Sequence, residues 1–309
     1  MRRAITEAIY NAALDNKKIY LLTGDLDHPM SRNFISNIPE QHINVGIAEQ
    51  NMIGIAAGLA LSGMKVFVIS IVPFATMRCF EQIRNDICYQ NIDVTIIGAG
   101  AGFSYSNSGV THHSITDIAI MRALPNMRVI SPCDPIEAKV LINKVIENKT
   151  GPLYIRTGRK KEDAIEEIIS DNDIILGKGR IIRSGNFTTI FATGTIIKEA
   201  LIASKILEEQ GMSVEIINIH TIKPIDKELI LNRCKNRVAF FTLEEHSIIG
   251  GLGSAVAEII SEIPGIIKPL FKRFGIEDKF THSVGSQNFL REEHGISGSL
   301  LAERICKIV

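Results

Sequence analysis

From residue 18 onward, short runs rich in Ile and Val alternate with longer stretches that carry apolar residues at helical spacing. A strand covered on both faces reads as a continuous apolar run, and parallel strands need crossovers long enough to hold a helix. The alternation therefore predicts parallel sheets with helices on both faces. Strands are expected at residues 19–22, 66–72, 94–98, 128–131 and 153–156, with helices at 47–63, 77–89, 115–123 and 135–147. Asp134 is placed to cap the last of these helices and Pro135 to take its first position. Polar residues 158–163 and the run Asp171-Asn172-Asp173 then mark a linker. Beyond it, strands are expected at 188–192, 213–218, 238–243 and 267–274, and helices at 195–210, 227–232, 250–263 and 298–308. The predicted fold class is α/β, with two doubly wound domains at 1–160 and 187–309, the second smaller, and a linker over 161–186.

Charge and composition exclude several kinds of function. The 34 Lys and Arg residues balance 34 Asp and Glu, and no stretch gathers the basic ones, so the electrostatic footprint of a nucleic-acid binder is missing. The longest apolar run, 66–77, contains Pro73 and falls short of the roughly 20 residues that span a bilayer. Thr6, Glu7, Asn11 and Asp15 break up the N-terminal apolar residues into an amphipathic helix rather than a signal peptide, and a cytoplasmic location is expected. Five cysteines without a C-x-x-C pair fit reduced, mostly buried thiols, with neither zinc nor disulfides.

Three groups of residues could carry chemistry. Glu49 starts a helix of small and apolar residues. It reads either as a carboxylate favoured by the helix dipole or as a desolvated proton carrier packed against another backbone. His112 and His113 follow a strand end and the flexible run 98–102, where open α/β sheets bind ligands; they read equally as surface residues. Arg2, Arg156 and Arg159 stand near element ends, either solvated or able to grip a phosphate or carboxylate. The glycine runs 98–102 and 250–253 complete no nucleotide-binding motif; the second reads as room for a helix to pack tightly after Glu244-Glu245-His246.

Taken together, Val45-Gly46-Ile47-Ala48-Glu49-Gln50-Asn51, the stretch from Pro73 to Asn85, Gly109-Val110-Thr111-His112-His113 and Gly151-Pro152-Leu153-Tyr154 resemble the transketolase family of thiamine diphosphate enzymes. Ile222-Lys223-Pro224-Ile225-Asp226, Glu244-Glu245-His246 and the glycines of 250–253 are similar to the family's C-terminal domain, so the resemblance covers nearly the whole chain. It implies that Glu49 hydrogen-bonds the cofactor pyrimidine and shifts it to the imino tautomer that deprotonates the thiazolium. By the same resemblance Phe74 stacks on that ring, Arg78 and Asp25 lie by the cofactor, His112 helps move protons at the substrate, and Arg2 and Arg159 bind the sugar phosphate.

The family's magnesium-binding Gly-Asp-Gly motif does not occur in the chain. The resemblance is thus to the C-terminal subunit of a split transketolase, a pyrimidine-binding domain plus the C-terminal domain. It implies an N-terminal partner subunit holding the diphosphate and magnesium, in an α2β2 assembly that moves a two-carbon ketol group between sugars. Ser108 stands where ordinary members carry an aspartate, and Gly100 where they carry a histidine, so the sugar pocket is altered. Two other readings use the same residues: the β subunit of a 2-oxo acid dehydrogenase, and a non-catalytic binding protein of this fold.

Overall fold

The computed structural model describes residues 1–25, 31–159, 164–165, 170–235, 237–262, 264 and 269–309. Its first half runs α1 (Arg2–Asp15), β1 (Ile19–Thr23), α2 (Arg32–Asn37), β2 (His42–Asn44), α3 (Glu49–Leu61), β3 (Lys65–Ile71), α4 (Val72–Thr76), α5 (Phe80–Gln82), β4 (Val94–Ala99), α6 (Asp117–Ala123), β5 (Arg128–Ile130), α7 (Pro135–Glu147) and β6 (Leu153–Thr157). The second half runs β7 (Arg180–Arg183), β8 (Thr188–Ala192), α8 (Ile197–Glu209), β9 (Val214–Asn218), β10 (Thr221–Lys223), α9 (Lys227–Cys234), β11 (Ala239–Ser247), α10 (Leu252–Ser261), β12 (Leu270–Ile276), α11 (Gln287–Glu293) and α12 (Gly298–Cys306).

The first sheet has the order β10-β5-β6-β4-β3-β1-β2 and is parallel except for β10, which runs antiparallel to β5. Successive residues of β3 serve opposite faces, as a pleated strand requires. Val66 and Val68 join Met52, Ile53 and Ala56 of α3 in one core. Phe67 and Ile69 join Ile5 and Ile9 of α1 and Leu141 and Val145 of α7 in the other. Fully burying one such side chain contributes about 1.5–3 kcal/mol, and the two cores together fix the strand ends from which the site is built. The second sheet, β12-β11-β8-β9-β7, repeats this plan, with Ile190 and Phe241 facing α8 and α12, and Phe191 and Phe240 facing α9 and α10. Two α/β units with parallel-dominated sheets are thus present, as the alternation of runs predicts.

Several elements depart from the sequence reading. The helix expected at 77–89 is split: a helical turn already begins at Val72, and a π-helical stretch covers Ile83–Cys88. Strand β7 lies inside the segment expected to be linker, and other parts of that segment, with expected strand residues 267–268 and helix residue 263, lie outside the described residues. The helix expected at 135–147 forms with those bounds, and the Asp134 carboxylate accepts the Glu137 N–H at 2.8 Å.

The two halves meet along a polar seam. Arg156, 3% exposed, donates to Asp117 Oδ2 at 2.8 Å and to the carbonyls of Ser114 and Glu245, both at 2.9 Å. It is therefore neither solvated nor available for a phosphate, the two uses its position suggested. Lys223 of β10 donates to the carbonyls of Arg122 and Leu124. Behind the seam, α10 begins tightly against β11 because Gly251 has no side chain: a Cβ there would lie 1.9 Å from Glu244 Oε2. That closeness lets Glu244 accept the N–H groups of Leu252 and Gly253, both at 2.8 Å, and so cap the helix.

Candidate cofactor and substrate half-site

The site is assembled at the carboxyl ends of β1, β3, β4 and β6, where an open parallel sheet leaves its loops free. Strand β3 supplies Ser70 and turns at once into α4, which carries Phe74 and leads to Arg78. Glu49 is the first residue of α3 and is only 2% exposed. Its Oε1 accepts the Ser70 hydroxyl at 3.0 Å, and its Oε2 accepts Arg78 Nη1 at 2.6 Å. The helix N-terminus, a hydroxyl and a guanidinium together support a carboxylate that burial would otherwise penalise. A Cβ at Gly24, at the end of β1, would stand 3.3 Å from Glu49 Oε1, so the glycine lets the backbone pass close to the carboxylate.

A continuous ridge of contacts leads away from Glu49. Arg78 lies 4.4 Å over the Phe74 ring. Phe74 meets His112 edge-on at 5.4 Å between centroids, and His112 meets Tyr105 at 5.6 Å. Arg159 lies over the Tyr105 ring at 4.5 Å from its centroid, and its carbonyl accepts Arg2 Nη2 at 3.3 Å. The structure thus brings Glu49, Phe74, Arg78, His112, Arg159 and Arg2 into one series, with a buried carboxylate at one end and guanidinium groups at the other. Asp25 stands beside Gly24 with φ +50° and is held through its backbone, its N–H donating to Asn44 Oδ1 at 3.1 Å.

The two neighbouring histidines part company. His112 is half-buried on the ridge, with Nδ1 2.9 Å from Thr111 Oγ1. His113 is buried against Phe103, its Nε2 is 3.3 Å from the Ser106 carbonyl, and burial lowers its pKa. Their loop is pinned by reciprocal backbone hydrogen bonds between Gly102 and Ser114. Glu245, from the second half, secures it further: its Oε1 accepts the Phe103 N–H at 2.6 Å, while Arg291 Nε donates to Oε2 at 2.5 Å.

Sequence reasoning missed three contributors. Ser70 is a lone hydroxyl near the end of an otherwise apolar strand, which was the available signal. Tyr105 and Glu245 sit in motifs whose neighbours drew attention first, and only tertiary contact reveals them.

A buried carboxylate beside the Phe74 ring is a pairing that would fit a planar, hydrogen-bond-donating heterocycle such as the aminopyrimidine of thiamine diphosphate. The Arg78 guanidinium is planar, lies over Phe74 and presents an N–H to Glu49; it stands in for a planar ring that would do the same. Among the described residues no group of three or more His, Cys, Asp or Glu side chains could hold a metal ion.

Fold and site together define an α/β protein of two units with a candidate site at the strand ends of its first sheet. Residues 1–162 match the family described as Transketolase, pyrimidine binding domain, and residues 177–298 match Transketolase, C-terminal domain. The chain belongs to the transketolase family. A Methanocaldococcus jannaschii protein named as a transketolase C-terminal section is 42% identical over 99% of this chain and 95% of its own length. A 6-deoxy-6-sulfo-D-fructose transketolase subunit of Clostridium sp. strain MSTE9 is 36% identical over 96% of this chain and 90% of its own. A solved structure described as a split gene transketolase, inactive beta4 tetramer, superposes with a TM-score of 0.87 at 36% identity, covering 99% of this chain and 97% of that one. Among the described residues no helix is long and apolar enough to cross a membrane.

Proposed function

We propose that this chain is the C-terminal subunit of a split, thiamine diphosphate-dependent transketolase. It moves a two-carbon ketol group from a phosphorylated ketose to an aldose acceptor. A cytoplasmic N-terminal partner supplies the diphosphate and magnesium sites in an α2β2 assembly. The observation that carries the reading is Glu49, buried and paired with a planar cation that lies on Phe74.

When bound, thiamine diphosphate supplies a carbon nucleophile and an electron sink for the cleavage of the ketose. The chain's own groups prepare that chemistry. Glu49 would hold the pyrimidine by accepting a hydrogen bond in the place that Arg78 fills, with the part-exposed Arg78 able to give way. Phe74 would orient the ring by stacking, and burial of Glu49 to 2% exposure keeps water from the carboxylate. His112, steadied by Thr111, exchanges protons with the substrate oxygens through Nε2. Arg159 and Arg2 hold the phosphate end and so fix the sugar along the ridge.

The test is reconstitution with the N-terminal subunit, thiamine diphosphate and magnesium, followed by a ketol-transfer assay. The reading expects transfer that needs both subunits and falls at least about 10³-fold in Glu49→Gln. Oxidative decarboxylation of a 2-oxo acid onto a lipoyl acceptor would instead identify a 2-oxo acid dehydrogenase subunit. Unchanged turnover in Glu49→Gln would remove the assigned role of this residue.

A further inference from the structure

Tyr105 stands between the proposed reacting end of the site, at His112, and its proposed anion-binding end, at Arg159. Its position depends on Gly100. That residue has φ +96°, a conformation side-chain-bearing residues rarely adopt, and a Cβ there would lie 2.1 Å from the Tyr105 ring. The backbone is therefore stripped of a side chain where the phenol sits. Tyr105 is nine-tenths buried as a residue, but its hydroxyl oxygen reaches solvent and is held by no other described residue. Tyr154, the other buried tyrosine, donates to Asp117 Oδ2 at 2.7 Å. A hydroxyl that alone of its side chain meets solvent beside a binding ridge can exchange water for a polar group of what binds there.

We infer that Tyr105 determines donor specificity: its hydroxyl reads a sugar hydroxyl lying between the transferred two-carbon unit and the phosphate held at Arg159. The inference rests on the ketol-transfer reading above. A substrate spanning from His112 to Arg159 must pass the phenol, whose ring supplies an apolar wall and whose oxygen supplies the polar group on that wall. Sites that hydrogen-bond a substrate hydroxyl discriminate strongly against the analogue that lacks it, because the protein group is then left unpaired.

The experiment uses the assembled two-subunit holoenzyme with two donors, a pentulose 5-phosphate and its 4-deoxy analogue, for wild type and Tyr105→Phe. Wild type is expected to favour the hydroxylated donor by about tenfold or more in kcat/KM, and Tyr105→Phe to lose about tenfold on that donor alone. The 4-deoxy donor should stay within about twofold between the two proteins. The phenylalanine keeps the ring beneath Arg159, so thermal melting should be unchanged. If both donors fall equally, or neither changes, Tyr105 is only a wall; the specificity role is overturned while ketol transfer stands. Transfer from neither donor by the wild-type holoenzyme overturns the ketol-transfer reading and this inference with it.

Discussion

Arg78 Nη1 donates to Glu49 Oε2 at 2.6 Å, so a carboxylate buried in the candidate site is held by a guanidinium that is itself 39% exposed. The pair is unequal: the acid cannot leave, while the base can swing toward solvent. Removing the base leaves the acid with the Ser70 hydroxyl and the helix N-terminus. A fully buried pair broken this way costs about 3–5 kcal/mol, and the exposure of Arg78 reduces that to about 1–2 kcal/mol. Arg78→Met in the isolated chain should lower the unfolding free energy by that amount in urea titrations, whereas Ser70→Ala should cost about 1 kcal/mol.

Asp117 and Arg156 form the opposite case, because both are buried. Against burial, which raises its pKa, the Arg156 and His246 charges and the Ser114 and Tyr154 hydroxyls hold the Asp117 carboxyl below its ordinary value. A lowered carboxyl stabilises the fold above its unfolded pKa and loses that contribution as pH falls through the native one. Asp117→Asn leaves Arg156 as an uncompensated buried cation and should cost about 3–5 kcal/mol. An unchanged urea midpoint in that variant would contradict the assignment.

Glu244 and His246 should give the stability curve a compensated region in mild acid. Burial pushes the Glu244 carboxyl up to about 7 from 4.5, against the N–H donors of Gly253 and Leu252. Its contribution is full at low pH and is lost as pH rises from 4.5 through about 7. Burial pulls His246 down to about 4 from 6.5, so its contribution is present above 6.5 and is lost as pH falls through about 4. The two slopes oppose each other where they overlap. In His246→Gln only the Glu244 slope remains, and guanidinium unfolding should show stability declining between pH 4.5 and about 7 by up to about 3 kcal/mol. A variant as flat as wild type would show that Glu244 does not titrate there.

Glu245 should act on His112 without touching it. Its carboxylate holds the Phe103 N–H at the start of the loop that carries His112. Glu245→Ala should speed amide hydrogen exchange across residues 102–114, Phe103 most of all. Misplacing a proton-transferring group by about 1 Å costs about 10²-fold in turnover, and a loss of that order is expected in the reconstituted enzyme. Faster exchange with undiminished turnover would separate the latch from catalysis.

The β/α alternation made most of the architecture readable before any coordinates, because strands such as 66–71 and 94–99 are buried on both faces and carry little but apolar residues. Three-residue strands such as His42–Asn44 and Thr221–Lys223 carry no such pattern; pairing across the chain defines them. Glu49, Phe74 and His112 were singled out through motif order rather than through local chemistry, since an isolated helix-start glutamate reads more readily as a dipole partner. Arg156 shows the converse: an arginine at a strand end looked available to a ligand, and only the folded seam shows that Asp117 and two carbonyls already hold it. Ser70 and Tyr105 act through what packs beside them, information that no single segment contains.

The antiparallel pairing of β10 with β5 means that the second half of the chain finishes the sheet of the first. Gene fission between residues 160 and 187 would then yield not two self-sufficient modules but a first fragment whose sheet lacks the edge strand that the second carries. Calorimetry of the intact chain should accordingly record one heat-absorption peak, with both halves melting as a single cooperative unit.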